Sequence, residues 1–159
     1  MKLWLKYILI LGVFAILGFS REFLFVHVNS QLYRLYYGYS NLPLPESLNF
    51  LTYFDYSTLY HLKFPLTIIS LLIYLITSVF SVRILSGNKK YGIWVIYIYA
   101  LLLILASITM TYNYLINHTF AGDEYTFSRW LMGIAQSPLV AFFIIAAGAL
   151  YKKFQPENK

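Results

Sequence analysis

The sequence predicts an all-α membrane protein with four transmembrane helices, both termini in the cytoplasm, and an amphipathic helical cap on the outer face. Three observations predict this class. Of the 159 residues, 60% are hydrophobic and only 11% are charged, whereas a soluble domain carries about 25% charged residues. Four apolar runs each approach the roughly 20 residues that a spanning helix needs. Lysine and arginine lie at the ends of these runs and do not form one patch.

The four predicted spans lie at about residues 3–20, 62–85, 91–115 and 128–151, within a single integral membrane domain covering residues 1–159. A signal peptide is the alternative for the first run, because Lys2 and Lys6 precede its apolar core. No small-x-small cleavage site precedes Arg21, so a retained span is the preferred interpretation.

The basic residues orient these spans, since cytoplasmic loops carry an excess of lysine and arginine. One side of the predicted spans holds Lys2, Lys6, Arg83, Lys89, Lys90, Lys152, Lys153 and Lys159. The other side holds Arg21, Arg34, Lys63 and Arg129, spread over longer loops. We therefore predict that both termini are cytoplasmic.

Residues 21–61 are predicted to form the outer cap, an amphipathic helix followed by a short aromatic-rich segment. Its apolar face comprises Phe25, Val28, Leu32, Leu35 and Tyr36, and its polar face comprises His27, Ser30, Gln31 and Arg34. Gly38 is suited to end this helix, and Pro43 and Pro45 prevent its continuation. Whether the cap lies flat on the bilayer or extends the first span stays open.

Two roles fit the cap, a lid over the helices or a surface that binds a partner. The partner-binding candidates are Arg21, Glu22, His27, Gln31 and Arg34. Arg21 and Glu22 are adjacent, so we expect them to point in different directions and not to pair.

A second group of polar or small residues shares one face of the fourth predicted span: Arg129, Gly133 and Gln136. Pro138 follows Ser137 and is expected to kink the helix. The preferred interpretation is an intramembrane polar seam of these residues and Pro138, with a close helix approach at Gly133. A substrate-binding cleft is the alternative.

Several function classes lack sequence support. The chain has no cysteine, which excludes disulfides, thiolate catalysis and cysteine metal sites. Its three histidines are not at metal-binding spacings, and no catalytic triad or phosphate-binding loop is present. The net charge of +6 follows membrane topology and does not indicate nucleic-acid binding. We therefore predict no catalytic residue, metal or cofactor, and expect the bilayer and a membrane protein as partners.

The chain as a whole resembles the exosortase F-associated membrane proteins of flavobacteria and their relatives in Bacteroidetes. The resemblance rests on Arg21 after the first span, the stretch LFVHVNSQLYRLYY, the LPLP of residues 42–45 and the span beginning at Phe64. It also rests on Arg129 followed nine residues later by Pro138, and on the basic end AAGALYKKF. The resemblance implies a multi-pass protein of the bacterial inner membrane with an accessory role in envelope protein sorting.

Three functions remain open at this point. The first is a non-catalytic accessory protein whose outer cap contacts a membrane or periplasmic partner. The second is an enzyme acting on lipid or peptide at the outer face. The third is a small subunit of a larger secretion, transport or respiratory complex. The first is preferred because the sequence carries no catalytic set.

Overall fold

The computed structural model describes residues 3–39, 42–117 and 126–154, and most of these are helical, with no strand among them. The α-helices are α1 (Leu3–Tyr37), α2 (Tyr56–Ser86), α3 (Lys89–Asn117), α4 (Thr126–Ala135) and α5 (Leu139–Phe154). A 3₁₀ helix, Glu46–Tyr53, lies between α1 and α2. The all-helical class predicted from the sequence is confirmed.

Within the described residues, three helices are long and apolar enough to cross a membrane: α1, α2 and the Lys89–Tyr112 part of α3. Helices α4 and α5 satisfy the same criterion together, as a pair bent by 65°. The chain therefore has three candidate spans, or four if the bent pair is one span. Exposed leucine, isoleucine and phenylalanine side chains along these helices are typical of surfaces that face lipid.

Helix α1 continues well beyond residue 20, the predicted end of the first span. It contains 35 residues, whereas about 20 cross a hydrocarbon core. No glycine or proline occurs between Ser20 and Gly38, so nothing in the local sequence stops the helix. Gly38 ends it as predicted, with φ +81° and its N–H donating to the Arg34 carbonyl at 2.8 Å.

The chain forms two compact units, and the first comprises Ala15–Ser70. The second half of α1, the 3₁₀ helix and the beginning of α2 pack around one small core. Its buried residues are Val28, Leu32, Leu48, Leu51 and Leu59. The predicted apolar face is thus correct at Val28 and Leu32.

The predicted faces of α1 differ from the structure at three positions. Leu35 and Tyr36 are exposed, whereas Gln31, assigned to the polar face, is buried with 5% of its surface accessible. Gln31 is only about 60° around the helix from Val28 on an ideal helical wheel. The core that covers Val28 and Leu32 therefore covers Gln31 as well.

Asp55 begins α2, as an N-cap residue is expected to do. Its carboxylate accepts hydrogen bonds from the Thr58 hydroxyl and from backbone N–H groups, including that of Thr58. These bonds, the Thr58 hydroxyl first, favour the ionised form and hold the pKa of Asp55 below its usual value. The Leu59 N–H donates to the Asp55 carbonyl at 3.0 Å and closes the first turn.

The second unit comprises Met1–Phe14 and Leu71–Lys159. The buried Phe14 ring of α1 contacts Tyr74 of α2 and Phe142 of α5, with centroid distances of 6.3 and 5.7 Å. The Ser78 and Tyr99 hydroxyls form a buried hydrogen bond of 3.2 Å between α2 and α3. Helices α1, α2, α3 and α5 are thus joined within this unit by specific contacts.

The close helix contacts of this unit occur at glycines other than Gly133. A Cβ atom added to Gly92 of α3 would lie 2.5 Å from Arg83 Nε of α2. One added to Gly148 of α5 would lie 3.2 Å from the Tyr91 ring. At Gly133 it would meet no atom within 4 Å, so the close approach expected there is not observed.

The kink predicted at Pro138 is present as a complete break between α4 and α5. Proline has no N–H to donate and its ring obstructs the preceding turn. The Ser137 side chain forms hydrogen bonds with one backbone group of α4 and one of α5. Its hydroxyl donates to the Ile134 carbonyl at 2.7 Å and accepts from the Leu139 N–H at 3.3 Å.

The packing of α1 in the first unit gives a testable prediction. Replacing Leu32 with alanine should lower the free energy of unfolding by about 2–5 kcal/mol, because it leaves a cavity in the core. Leu35→Ala is the matched control, since Leu35 is 39% exposed and Leu32 only 7%, and it should cost about 0.5 kcal/mol or less. Reversible unfolding of the full chain in detergent, followed by circular dichroism, measures both. Equal losses would contradict the observed core.

The break at Ser137 gives a second prediction. Ser137→Ala removes both hydrogen bonds of the hydroxyl and should lower the free energy of unfolding by about 1–2 kcal/mol. Ser137→Thr keeps a hydroxyl and should stay within about 0.5 kcal/mol of the parent chain. The same unfolding measurement compares them. A Ser137→Ala protein as stable as the threonine variant would show that the hydroxyl does not stabilise the break.

Candidate functional site

A cavity of about 270 Å³ opens beside the last turns of α1 in the Ala15–Ser70 unit. Helix α1 contributes Ser30, Gln31 and Arg34 to its wall, and the segment after the helix contributes Leu42, Pro43 and Leu44. We call these six residues the α1 pocket. It combines an amide, a hydroxyl and a guanidinium with an apolar wall.

The local sequence explains why the chain returns to α1 at this place. Gly38 adopts a left-handed conformation that lets the backbone turn after the helix. Pro45 is extended, with φ −64° and ψ 150°, and its carbonyl accepts the Leu48 N–H at 2.9 Å as the 3₁₀ helix begins. Leu44 packs against the core of the unit. The polar face of α1 is therefore covered on one side by residues 42–44.

The polar groups of the α1 pocket differ in burial. The polar side chain of Gln31 is buried, with only 5% of its surface exposed. The Ser30 hydroxyl donates a hydrogen bond of 3.5 Å to the Leu42 carbonyl. Arg34 is exposed at the mouth. In the part of the chain that the structure describes, no carboxylate forms an ion pair with Arg34. The pocket consequently presents one positive charge above a buried amide.

Exposed tyrosines cluster at the end of α1 and just after it. Tyr33 contacts Tyr37 and Tyr39, with ring centroids 4.5 and 5.5 Å apart, and the Tyr33 and Tyr39 hydroxyls lie 3.1 Å from each other. Tyr36 contacts Tyr37 and Tyr56 at 4.7 and 5.7 Å. Tyrosine is favoured at the membrane–water interface because its ring is apolar and its hydroxyl polar.

The other partner-binding candidates make local contacts. The His27 Nδ1 atom is 2.6 Å from the Phe23 carbonyl, and the two rings are tilted by 51° with their centroids 4.5 Å apart. Arg21 lies over the Phe25 ring and also pairs with Glu22 at 3.8 Å. The expectation that Arg21 and Glu22 do not pair is therefore wrong. Their long side chains bend toward each other across the helix surface even though their Cβ atoms diverge.

The remaining histidines contribute no cluster to the described structure. The His61 Nδ1 atom is 2.7 Å from the Ser57 carbonyl, one turn earlier in α2. His118 lies outside the described residues. Among the residues described, no three His, Asp or Glu side chains come together in a metal-binding arrangement.

The four residues of the predicted polar seam do not form one buried surface. Gln136 is buried, with 4% of its surface accessible, and Gly133 is half-buried, whereas Arg129 is exposed. The buried face of α4 comprises Ser128, Leu131 and Ala135. Arg129 is about 100° around the helix from Ser128 and therefore lies off this face. Pro138 is at the break, where the helical register that would align these residues ends.

Sequence reasoning identified Gln31 and Arg34 but not the cavity that they share. The glycine and the two prolines of residues 38–45 predicted the turn after α1. They did not predict that the residues after the turn would enclose a cavity with α1. The chain matches no known protein-family model, no curated protein and no solved structure. Functional inference therefore depends on the chemistry and geometry of its own residues.

Proposed function

We propose that the protein is a non-catalytic accessory subunit of the bacterial inner membrane whose outer cap, residues 21–61 of the Ala15–Ser70 unit, binds a membrane or periplasmic partner. The observation that carries this proposal is an exposed aromatic surface on a unit that already has its own core. Tyr53 is 88% exposed, and Tyr36, Tyr37 and Tyr39 are also exposed. Tyrosine is enriched in protein interfaces, where one ring buries a large area.

The described side chains favour binding over catalysis. The histidines there bond to nearby backbone carbonyls, and the buried polar side chains are glutamines and serines. Such groups stabilise packing but do not supply an activated nucleophile. The resemblance of the sequence pattern to exosortase-associated proteins favours a partner in envelope protein sorting. A subunit of a larger transport or respiratory complex would use the same surface, and the identity of the partner separates these roles.

The proposed orientation has both termini in the cytoplasm and the cap outside, because basic residues concentrate on the side of the termini. A periplasm-active phosphatase reporter fused after Lys159 is expected to be inactive, and one fused after Gly38 active. A cytoplasm-active reporter at the same two positions is the control and should show the opposite pattern. Phosphatase activity after Lys159 together with inactivity after Gly38 would reverse the orientation.

The partner surface is tested by affinity isolation of the full chain from native membranes in mild detergent. Tyr53→Ser is expected to reduce a stoichiometric co-purifying protein about tenfold, since an interface tyrosine is often a hot spot. Tyr97→Ser is the matched control, because Tyr97 is 63% exposed on α3 in the other unit, and it should leave the partner bound. Quantitative mass spectrometry at equal bait amounts measures both. Isolation without any stoichiometric partner, or equal recovery with Tyr53→Ser, would contradict the proposal.

A further inference from the structure

We propose that the turn between α2 and α3 binds the phosphate group of an anionic lipid headgroup through Arg83 and Lys89. The proposal is independent of the outer cap and its partner, because both residues belong to the unit of Met1–Phe14 and Leu71–Lys159. It also holds for either orientation of the chain, since it uses the depth of this turn in a bilayer and not the side on which it lies.

The turn lies at the ends of two candidate spans. Helices α2 and α3 are each long and apolar enough to cross a membrane, and only Gly87 and Asn88 separate them. Residues 64–82, directly before Arg83, carry no charge, and neither do residues 91–110, directly after Lys90. Each of these runs matches the roughly 20 residues that cross a hydrocarbon core. Both runs therefore stop at the basic residues, which places the turn at headgroup depth.

The side chains next to the turn agree with this depth. Ile84 and Trp94 are 49% and 59% exposed, so apolar surface continues on both helices to within a few residues of the basic groups. Tryptophan is favoured at the membrane–water interface, where its ring faces the lipid and its N–H faces the headgroups. The turn thus presents cations directly beside a surface suited to lipid.

The two cations have no carboxylate of their own unit to neutralise them among the described residues. Arg83 and Lys89 are exposed, and every Asp and Glu in the described ranges belongs to the Ala15–Ser70 unit. The sequence has no acidic residue between positions 56 and 122. A guanidinium binds two phosphate oxygens through its planar fork, and an ammonium adds a second positive charge. An anion is therefore the ligand that complements this turn.

Gly92 seats Arg83 beside Lys89. A Cβ atom added to Gly92 would lie 2.5, 3.0 and 3.2 Å from the Nε, Cγ and Cδ atoms of Arg83, so the arginine side chain lies across the glycine and covers it. Lys89 precedes Gly92 by three residues, which makes them neighbours on one face of α3. Lys90 is about 200° around the helix from Gly92 and lies on the opposite face. The structure thus pairs Arg83 with Lys89 and leaves Lys90 outside the pair.

Hydrogen bonds hold the turn in this shape. Gly87 has φ +67° and its N–H donates to the Arg83 carbonyl at 3.1 Å. The Asn88 side chain accepts the Lys90 N–H at 2.9 Å, and the Asn88 N–H donates to the Ser86 hydroxyl at 3.2 Å. A backbone fixed in advance lowers the entropy lost when a ligand binds.

The test is a binding titration of the purified, delipidated full chain in nonionic detergent, with phosphatidylglycerol as the probe and native mass spectrometry as the readout. The parent chain should bind phosphatidylglycerol saturably, and diacylglycerol, which has no phosphate, at least about tenfold more weakly. Arg83→Gln and Lys89→Gln should each weaken phosphatidylglycerol binding about fivefold or more. Lys90→Gln is the matched control, because it removes the same charge from the same turn, and should change the affinity less than about twofold.

Gly92→Ala tests the seat without changing any charge. The new methyl group displaces the Arg83 side chain and should weaken phosphatidylglycerol binding about threefold or more, but should add no further loss to Arg83→Gln. Gly12→Ala, where a Cβ atom meets nothing within 4 Å, should keep the parent affinity. The charge variants test the site even where Gly92→Ala lowers the folded yield.

Three results would overturn the proposal. Equal losses in Lys89→Gln and Lys90→Gln would show a diffuse attraction to positive charge and no site. Equal binding of diacylglycerol would show that the phosphate is not recognised. Inorganic phosphate is titrated separately, and saturable binding as tight as that of phosphatidylglycerol would identify free phosphate as the ligand. Binding of inorganic phosphate at least about tenfold weaker supports the lipid.

Discussion

A bilayer core offers no water to backbone N–H and C=O groups, so each segment that crosses it must satisfy those groups internally. In the described structure the apolar segments are long helices, whose backbone N–H and C=O groups bond to each other. Helices α1, α2 and α3 have 35, 31 and 29 residues. Where Pro138 interrupts the pattern, the Ser137 hydroxyl bonds to Ile134 on one side and to Leu139 on the other. These two bonds satisfy one carbonyl before the 65° bend and one N–H after it.

The interior of the described structure is packed with uncharged groups. Its buried polar side chains are Gln31, Ser78, Ser81, Ser128 and Gln136. Burying a hydroxyl or amide costs much less than burying a charge, and one hydrogen bond compensates for it. The Ser78–Tyr99 bond between α2 and α3 is an example. The charged side chains whose burial is described lie at exposed or half-buried positions, so charge is presented at the surfaces of the protein.

The Ala15–Ser70 unit offers two such surfaces with different chemistry. Tyr53 and its neighbours present aromatic rings suited to a protein interface, while Arg34 and Gln31 line a small polar cavity. The aromatic surface is exposed because the core formed by Val28, Leu32 and the leucines of residues 44–59 does not include those tyrosines.

The sequence by itself determined what depends on local chemistry. Apolar runs located the helices, Gly38 ended α1 and Pro138 broke the last apolar segment, because each effect acts within a few residues. Tertiary structure decided which helix faces are buried. Gln31 is covered and Leu35 exposed because residues 44–59 pack against one part of α1 only. The α1 pocket and the close approaches at Gly92 and Gly148 likewise required contacts between segments distant in sequence. Helical periodicity specifies the spacing of side chains around an axis, and only the packed neighbours determine which side they cover.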